Sequence, residues 1–268
     1  MSTYRTEGII LRRSDFGEAN LLLHIYTRKF GKVEAVGKSA RKAKGKLKGH
    51  LEPFLYADFV LVHGKKMDTV ANSFVLDPFL CLRSSFDPIL AASVIAEIAD
   101  RMTVEGYHDE RVFELLLSSL AFLNQETGAE KRNLWLLILF FEVNFLALSG
   151  FAPQADKCVF CSEKMAPGKN YFSFALGGVL DAQCAAKIPD AIFVDDDAIK
   201  LLRFLAIDSG TTDYKKAIGE KLVCLRKLNI KNEALFRSVL LMKNFIEFNI
   251  DRKINSLDTF LNFAREKI

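Results

Sequence analysis

Cysteine is scarce and odd in number, five in 268 residues. Five thiols in a chain this long do not make the paired framework of a small secreted domain. A long uninterrupted apolar run is also missing. The most apolar stretch, LWLLILFFEVNFLALSGF (residues 134–151), carries Glu142 and Asn144 and predicts a buried helix rather than a membrane span. The start, MSTYRTEGIILRR, has no long apolar segment behind a basic head and does not read as a signal peptide. A cytoplasmic protein is the simplest expectation. The motifs that mark the commonest catalytic folds are lacking as well. There is no phosphate-cradling Walker loop, no Gly-rich dinucleotide turn and no G-x-S-x-G elbow. The four histidines (His24, His50, His63, His108) are scattered and form no motif.

Charge is present but unevenly placed. Residues 1–80 hold 14 Lys and Arg against 8 Asp and Glu, a net of +6, while residues 81–268 hold 23 against 25. The segment Gly37 to Lys48 alone carries six cations (Lys38, Arg41, Lys42, Lys44, Lys46, Lys48) and no acid. Such a loop neutralises phosphates and releases counterions, with little sequence preference. The same charges would also suit an acidic protein partner or plain solubility.

Around that loop the pattern predicts five strands: EGIILRR, LLLHIYTR, KVEAVGKS, PFLYADFVLVHG and DTVANSFVLD, with SDFGEAN read as a turn. Five β-rich segments over eighty residues fit a small barrel, and an OB-fold is compatible. Loops of such a barrel flank a groove that tracks a nucleic-acid backbone, and Arg12, Arg13, Arg28, Lys29 and Lys32 fall in or near its turns. Phe16, Tyr26, Phe30 and Phe54 are either base-stacking platforms or core. After residue 80 the period becomes helical, and six segments ending with NEALFRSVLLMKNFIEFN predict a mostly α-helical domain. The expected division is 1–80 and 81–268, with an insert at 156–190 rich in Gly, Cys and short strands. Cys81 and Cys224 read as small core residues in helical context.

The insert contains Cys158-Val-Phe-Cys161 and, at ribbon spacing, Asp181-Ala-Gln-Cys184. Zinc accepts carboxylate oxygen, so a tetrahedral site of three thiolates and one carboxylate is chemically available. It would be structural, with every position filled by protein. The competing reading is a metal-free knuckle standing on Phe160, Tyr171, Phe172 and Phe174. A redox dithiol lacks the βαβ context it needs. The triplet Asp195 to Asp197 either caps a helix or holds Mg²⁺ for nuclease chemistry, and its place just before AIKLLRFL favours capping.

Taken in order, these pieces resemble the bacterial RecO family of recombinational DNA repair proteins over nearly the whole chain. The opening EGIILRRSDFGEANLLLHIYTRKFGKVEAVGKSARKAKGKLKGHLEPF is similar to the family's first strands and its basic loop closing on L-x-P-F. FFEVNFLALSGFAP, the Cys motif with Asp181 at the third ligand position, and FIEFNIDRKINSLDTFL are similar to its middle and end. The resemblance implies an α+β multidomain protein: an N-terminal five-stranded OB-fold barrel, then a helical domain with a zinc-ribbon-like insert. It implies a recombination mediator without a catalytic centre that binds single- and double-stranded DNA and anneals complementary strands. With RecR, such a mediator helps load RecA onto DNA coated by single-stranded-DNA-binding protein. Carried residue by residue, DNA contact is expected at Arg12, Arg28, Lys38, Arg41, Lys42, Lys44, Lys46 and Lys48, and zinc at Cys158, Cys161, Asp181 and Cys184. The alternative is an interaction adaptor whose basic loop binds an acidic partner without DNA.

Overall fold

Alternation of apolar and polar side chains in the first eighty residues closes a sheet on itself. The structure is a computed structural model that describes residues 2–42, 45, 47, 49–126 and 131–265. Strands β1 (Thr3–Phe16), β2 (Asn20–Thr27), β3 (Gly31–Gly37), β4 (Tyr56–Val62) and β5 (Asp68–Asp77) form a closed barrel in the order β1-β2-β3-β5-β4. All its pairings are antiparallel except β3 with β5. This is the expected OB-fold. In β4 the inward set Ala57, Phe59 and Leu61 alternates with outward residues, as a half-buried strand must. The SDF of the expected turn continues β1 instead, because Ser14, Asp15 and Phe16 stay in register with Leu22, Leu21 and Asn20.

Strand β2 is buried on both faces, which alternation alone does not explain. Its outward His24 and Tyr26 are covered by the helices that follow the barrel, α1 (Phe86–Met102) and α2 (Glu110–Gln125). His24 Nδ1 lies 2.7 Å from Asp100 Oδ1 of α1, and Tyr26 is hydrogen-bonded to the backbone of Asp109, the N-cap of α2. The chain divides into two compact units at Gly128 and Ala129, so α1 and α2 belong to the unit that holds the barrel.

The second unit is built on α3 (Lys131–Leu148), which is buried on every side from Leu134 to Leu146. A helix that is apolar all round must be covered all round. The helices α5 (Asp196–Leu205), α6 (Tyr214–Leu225) and α7 (Asn232–Ile250) cover it, and α8 (Asn255–Arg265) follows. The two polar residues of that run behave differently. Asn144 is fully satisfied, donating to the carbonyls of Phe140 and Leu205 and accepting from Ile207 N–H. Glu142 is fully buried, and neither carboxylate oxygen has a hydrogen-bond partner among the described residues. Burial pushes its carboxyl well above the usual carboxylate range, outweighing the charge of Lys243.

Between α3 and α5 sits the insert, a three-stranded sheet in the order β7-β6-β8 with β6 (Asn170–Ser173), β7 (Gly178–Asp181) and β8 (Ile192–Val194), and a single helical turn α4 (Ala182–Ala185). Buried Phe172 packs edge-on against Phe245 of α7 at 5.3 Å, which ties the insert to the helices. Cys81 and Cys224 are exposed, contrary to the core reading. Cys81 lies on the solvent side of a lone 3₁₀ turn, Cys81–Ser84, and Cys224 falls outside the apolar stripe Ile218, Leu222 and Leu225 of α6. Among the described residues no helix is long and apolar enough to cross a membrane.

Candidate nucleic-acid interface and metal centre

The basic loop is not a free strap. Leaving β3, it buries Ala40, Leu47 and Leu51 against the barrel core, and Ser39 N–H donates to Asn20 Oδ1. Between those anchors Lys38, Arg41 and Lys42 are exposed. Arg41 leans on Asp15 at 3.1 Å, a solvent-exposed pair of small energetic weight. Lys44, Lys46 and Lys48 lie outside the described residues. Arg12 on β1 is half exposed and stands 4.0 Å from Asp100, so its guanidinium faces solvent on the same barrel.

Two of the cations placed near turns by the sequence are spent inside the unit. Arg28 donates to Glu7 (2.8 Å), Glu110 (3.1 Å) and Glu114 (2.6 Å), and its guanidinium lies 4.3 Å from the Phe113 ring centroid. Its donors are taken by barrel and α2 carboxylates, which makes it a clamp between those elements. Lys32 Nζ sits 2.7 Å from Asp100 Oδ1 and donates to the Asp100 carbonyl at 2.6 Å. The candidate aromatics divide too. Tyr26 and Phe54 are buried, whereas Phe16 and Phe30 are exposed.

In the insert, the turn carrying Cys158 and Cys161 faces the junction of β7 and α4. Asp181 caps α4: its Oδ1 accepts from the N–H groups of Gln183 (2.9 Å) and Cys184 (2.8 Å). That leaves Oδ2 toward the thiols, 3.3 Å from Cys161 Sγ. The backbone N–H of Cys184 and the surrounding thiols hold the Asp181 carboxyl well below the usual range. The ligand atoms of Cys158, Cys161, Asp181 and Cys184 all lie within 4.8 Å of one another. Tetrahedral thiolates at about 2.3 Å from zinc sit roughly 3.8 Å apart, so contraction by about 1 Å makes the cage. The group could hold a metal ion. The packing alternative is also partly realised, since Phe172 is buried and Phe174 stacks on Phe245, but Phe160 is exposed.

The acidic triplet is occupied by structural work. Asp195 accepts from Ala198 N–H as the N-cap of α5, Asp196 accepts from Gly168 N–H and Asn170 Nδ2, and Asp197 lies 3.4 Å from Lys200.

Barrel, basic loop, helical unit and four-ligand knuckle together define an OB-fold protein with a ribbon-like insert. The comparisons narrow that class. Residues 1–79 match the family model for the Recombination protein O N terminal, and residues 83–258 match that for the Recombination protein O C terminal. The chain belongs to the RecO family. It is 33% identical to the DNA repair protein RecO of Dehalococcoides mccartyi over 233 residues, covering 87% of this chain and 90% of the relative. It is 28% identical to the RecO of Pelotomaculum thermopropionicum over 263 residues, covering 97% and 95%.

The sequence missed the residues that make the barrel's other end. Tyr4, His63 and Asp68 are brought together there from positions some sixty residues apart, as are the members of the Asp100 cluster. No local motif announces either.

Proposed function

We propose that this protein is a recombination mediator in DNA repair. Its barrel binds single- and double-stranded DNA by neutralising phosphates, and shielding their repulsion lets complementary strands anneal. Family membership supports this, but the observation that carries it is local. Exposed cations alternate with buried apolar anchors on the loop closing the barrel, so positive charge is held against a fold built for single strands. Arg12, Lys38, Arg41 and Lys42, with Lys44, Lys46 and Lys48, make the contacts, and Arg28 serves the fold. RecR, RecA and single-stranded-DNA-binding protein are the partners this reading assigns through the family. It assigns no catalytic step, since the only carboxylate triplet is engaged in capping and turn contacts.

The test is fluorescence anisotropy of a labelled single-stranded oligonucleotide against salt. Neutralising about five phosphates gives a log–log slope near −3.5. A flat slope together with tight binding of an acidic peptide would favour the adaptor reading.

The metal in the knuckle is zinc in this proposal, and Cys158, Cys161, Asp181 Oδ2 and Cys184 would hold it. Bound there, zinc supplies a crosslink between the two halves of the insert and no open coordination position. One equivalent of Co²⁺ per chain is expected to give tetrahedral d–d absorption and a thiolate charge-transfer band. Asp181→Cys is expected to strengthen that band and raise affinity, because a softer ligand replaces a carboxylate. No uptake by either protein would leave the knuckle standing on packing alone.

A further inference from the structure

At the end of the barrel opposite the basic loop, where β2 ends and β3 begins, lies a cavity of about 380 Å³. That is within the roughly 300–1,000 Å³ range of small-ligand sites. Three rings line it. Tyr4 stacks on His63 with centroids 4.4 Å apart and meets Phe30 edge-on at 4.7 Å. Phe30 is 40% exposed and the His63 side chain 54% exposed, so both present ring surface to the cavity rather than to the core.

The site is held in shape before anything enters it. Tyr4 Oη donates to Asp68 Oδ2, and Asp68 Oδ1 accepts from Gly64 N–H at 3.2 Å and lies 3.4 Å from His63 Nδ1. Phe30 N–H donates to the buried Thr27 hydroxyl at 3.0 Å. Two glycines let the walls close. A Cβ on Gly64 would stand 1.9 Å from the Met67 carbonyl oxygen, and one on Gly31 would stand 2.1 Å from that of Tyr107. Lys29 and Lys66 lie on the rim and form no salt bridge among the described residues. Glu34 and Glu105 add acceptor oxygens to the wall.

An exposed aromatic shelf with cations at its rim and carboxylates at its back matches the three parts of a nucleotide: π face, phosphate and exocyclic amine. We propose that this cavity takes one unstacked, amino-bearing base of a single DNA strand, stacked on Phe30 and His63 with its phosphate toward Lys29 or Lys66. The inference rests on the DNA-binding reading above and deepens it. Strand β3 spans seven residues, about 23 Å at 3.3 Å each, between the cavity and the basic loop. A strand of a few nucleotides covers that distance, within the roughly 4–16 nucleotides of an OB-fold site. A duplex, whose bases are stacked inside, cannot use the cavity.

The test titrates a single-stranded oligonucleotide containing 2-aminopurine with the wild type, with Phe30→Ala/His63→Ala and with Phe30→Leu, beside a duplex of the same sequence. Phe30→Leu keeps apolar bulk and removes the π face, and equal melting temperatures show that the variants fold. In the wild type the probe's emission is expected to fall on binding. In the double variant, single-strand affinity is expected to drop about tenfold, with the salt slope and duplex affinity unchanged and the quenching lost. Phe30→Leu is expected to lose most of the quenching as well. A steep wild-type salt slope with unaltered affinity and quenching in the variants would overturn the cavity and leave the basic loop standing. Equal losses on single strands and duplex would also overturn it. A flat wild-type slope would overturn the DNA reading and the cavity with it.

Discussion

Replacing Lys42, Lys44 and Lys46 together by Glu lowers affinity for single-stranded DNA by at least about a hundredfold at 0.1 M salt. Three lost phosphate contacts reduce the log–log salt slope by about 2, which is about two decades of affinity at that salt. Reversal adds repulsion to loss, so the figure is a floor. The fold should not suffer. The loop is anchored through Ala40, Leu47 and Leu51, which the substitutions leave in place, and Lys42 is exposed. The helical unit is expected to melt unchanged. Anisotropy over a salt series reads both affinity and slope, and an unaltered slope would remove the loop from the mechanism. Arg28→Glu should act by another route, because it sets a carboxylate against Glu7, Glu110 and Glu114 and opens the barrel from α2.

Asp100→Asn is expected to destabilise the barrel unit by about 3 kcal/mol near neutral pH. Asp100 is 8% exposed and faces His24, Lys32 and Arg12, with Glu34 on the far side of the His24 ring. Removing its charge leaves the largely buried Lys32 ammonium without its carboxylate, the costly way to break a buried pair. The pH dependence gives an independent reading. Burial pushes the Asp100 carboxyl upward, but hydrogen bonds from His24 and Lys32 and their charges outweigh it and hold it at about 2. The unfolded value is roughly 3.9. A folded value below the unfolded one contributes stability above about pH 4 that is lost as pH falls through about 2. That contribution is about 2.5 kcal/mol. Chemical denaturation between pH 2 and 7 should show this acid-side loss in the wild type and a flatter profile in Asp100→Asn. Equal profiles would assign the acid sensitivity to other carboxylates.

Much of the fold was legible because it depends on local pattern. The five strand segments, the helix at 110–125 and the buried run at 134–146 follow from alternation and from apolar periodicity, which neighbouring side chains impose on the backbone. The four metal-ligand candidates were legible for a similar reason, since two short spacings in one insert bring them within 4.8 Å. Asp181 showed chemical type but not its double use, with one oxygen on a helix cap and the other facing thiols.

Exposure was not legible, and it decides function here. The sequence places Arg28, Lys32 and Lys42 alike near turns of a basic barrel. Only the tertiary structure separates them, because carboxylates arriving from α1 and α2, seventy to ninety residues away, take the first two and leave Lys42 in solvent. Phe30 and Phe54 are equally aromatic in sequence, yet one lines a cavity and the other closes the core. By itself the sequence determined strand number, helix content, the excess of positive charge in the first eighty residues and the ligand set of the knuckle, all set by composition and short spacing. The tertiary structure alone decided which cations and rings remain free to meet a partner. That depends on which distant groups the closed barrel and its covering helices bring into contact, and short-range pattern carries no record of it.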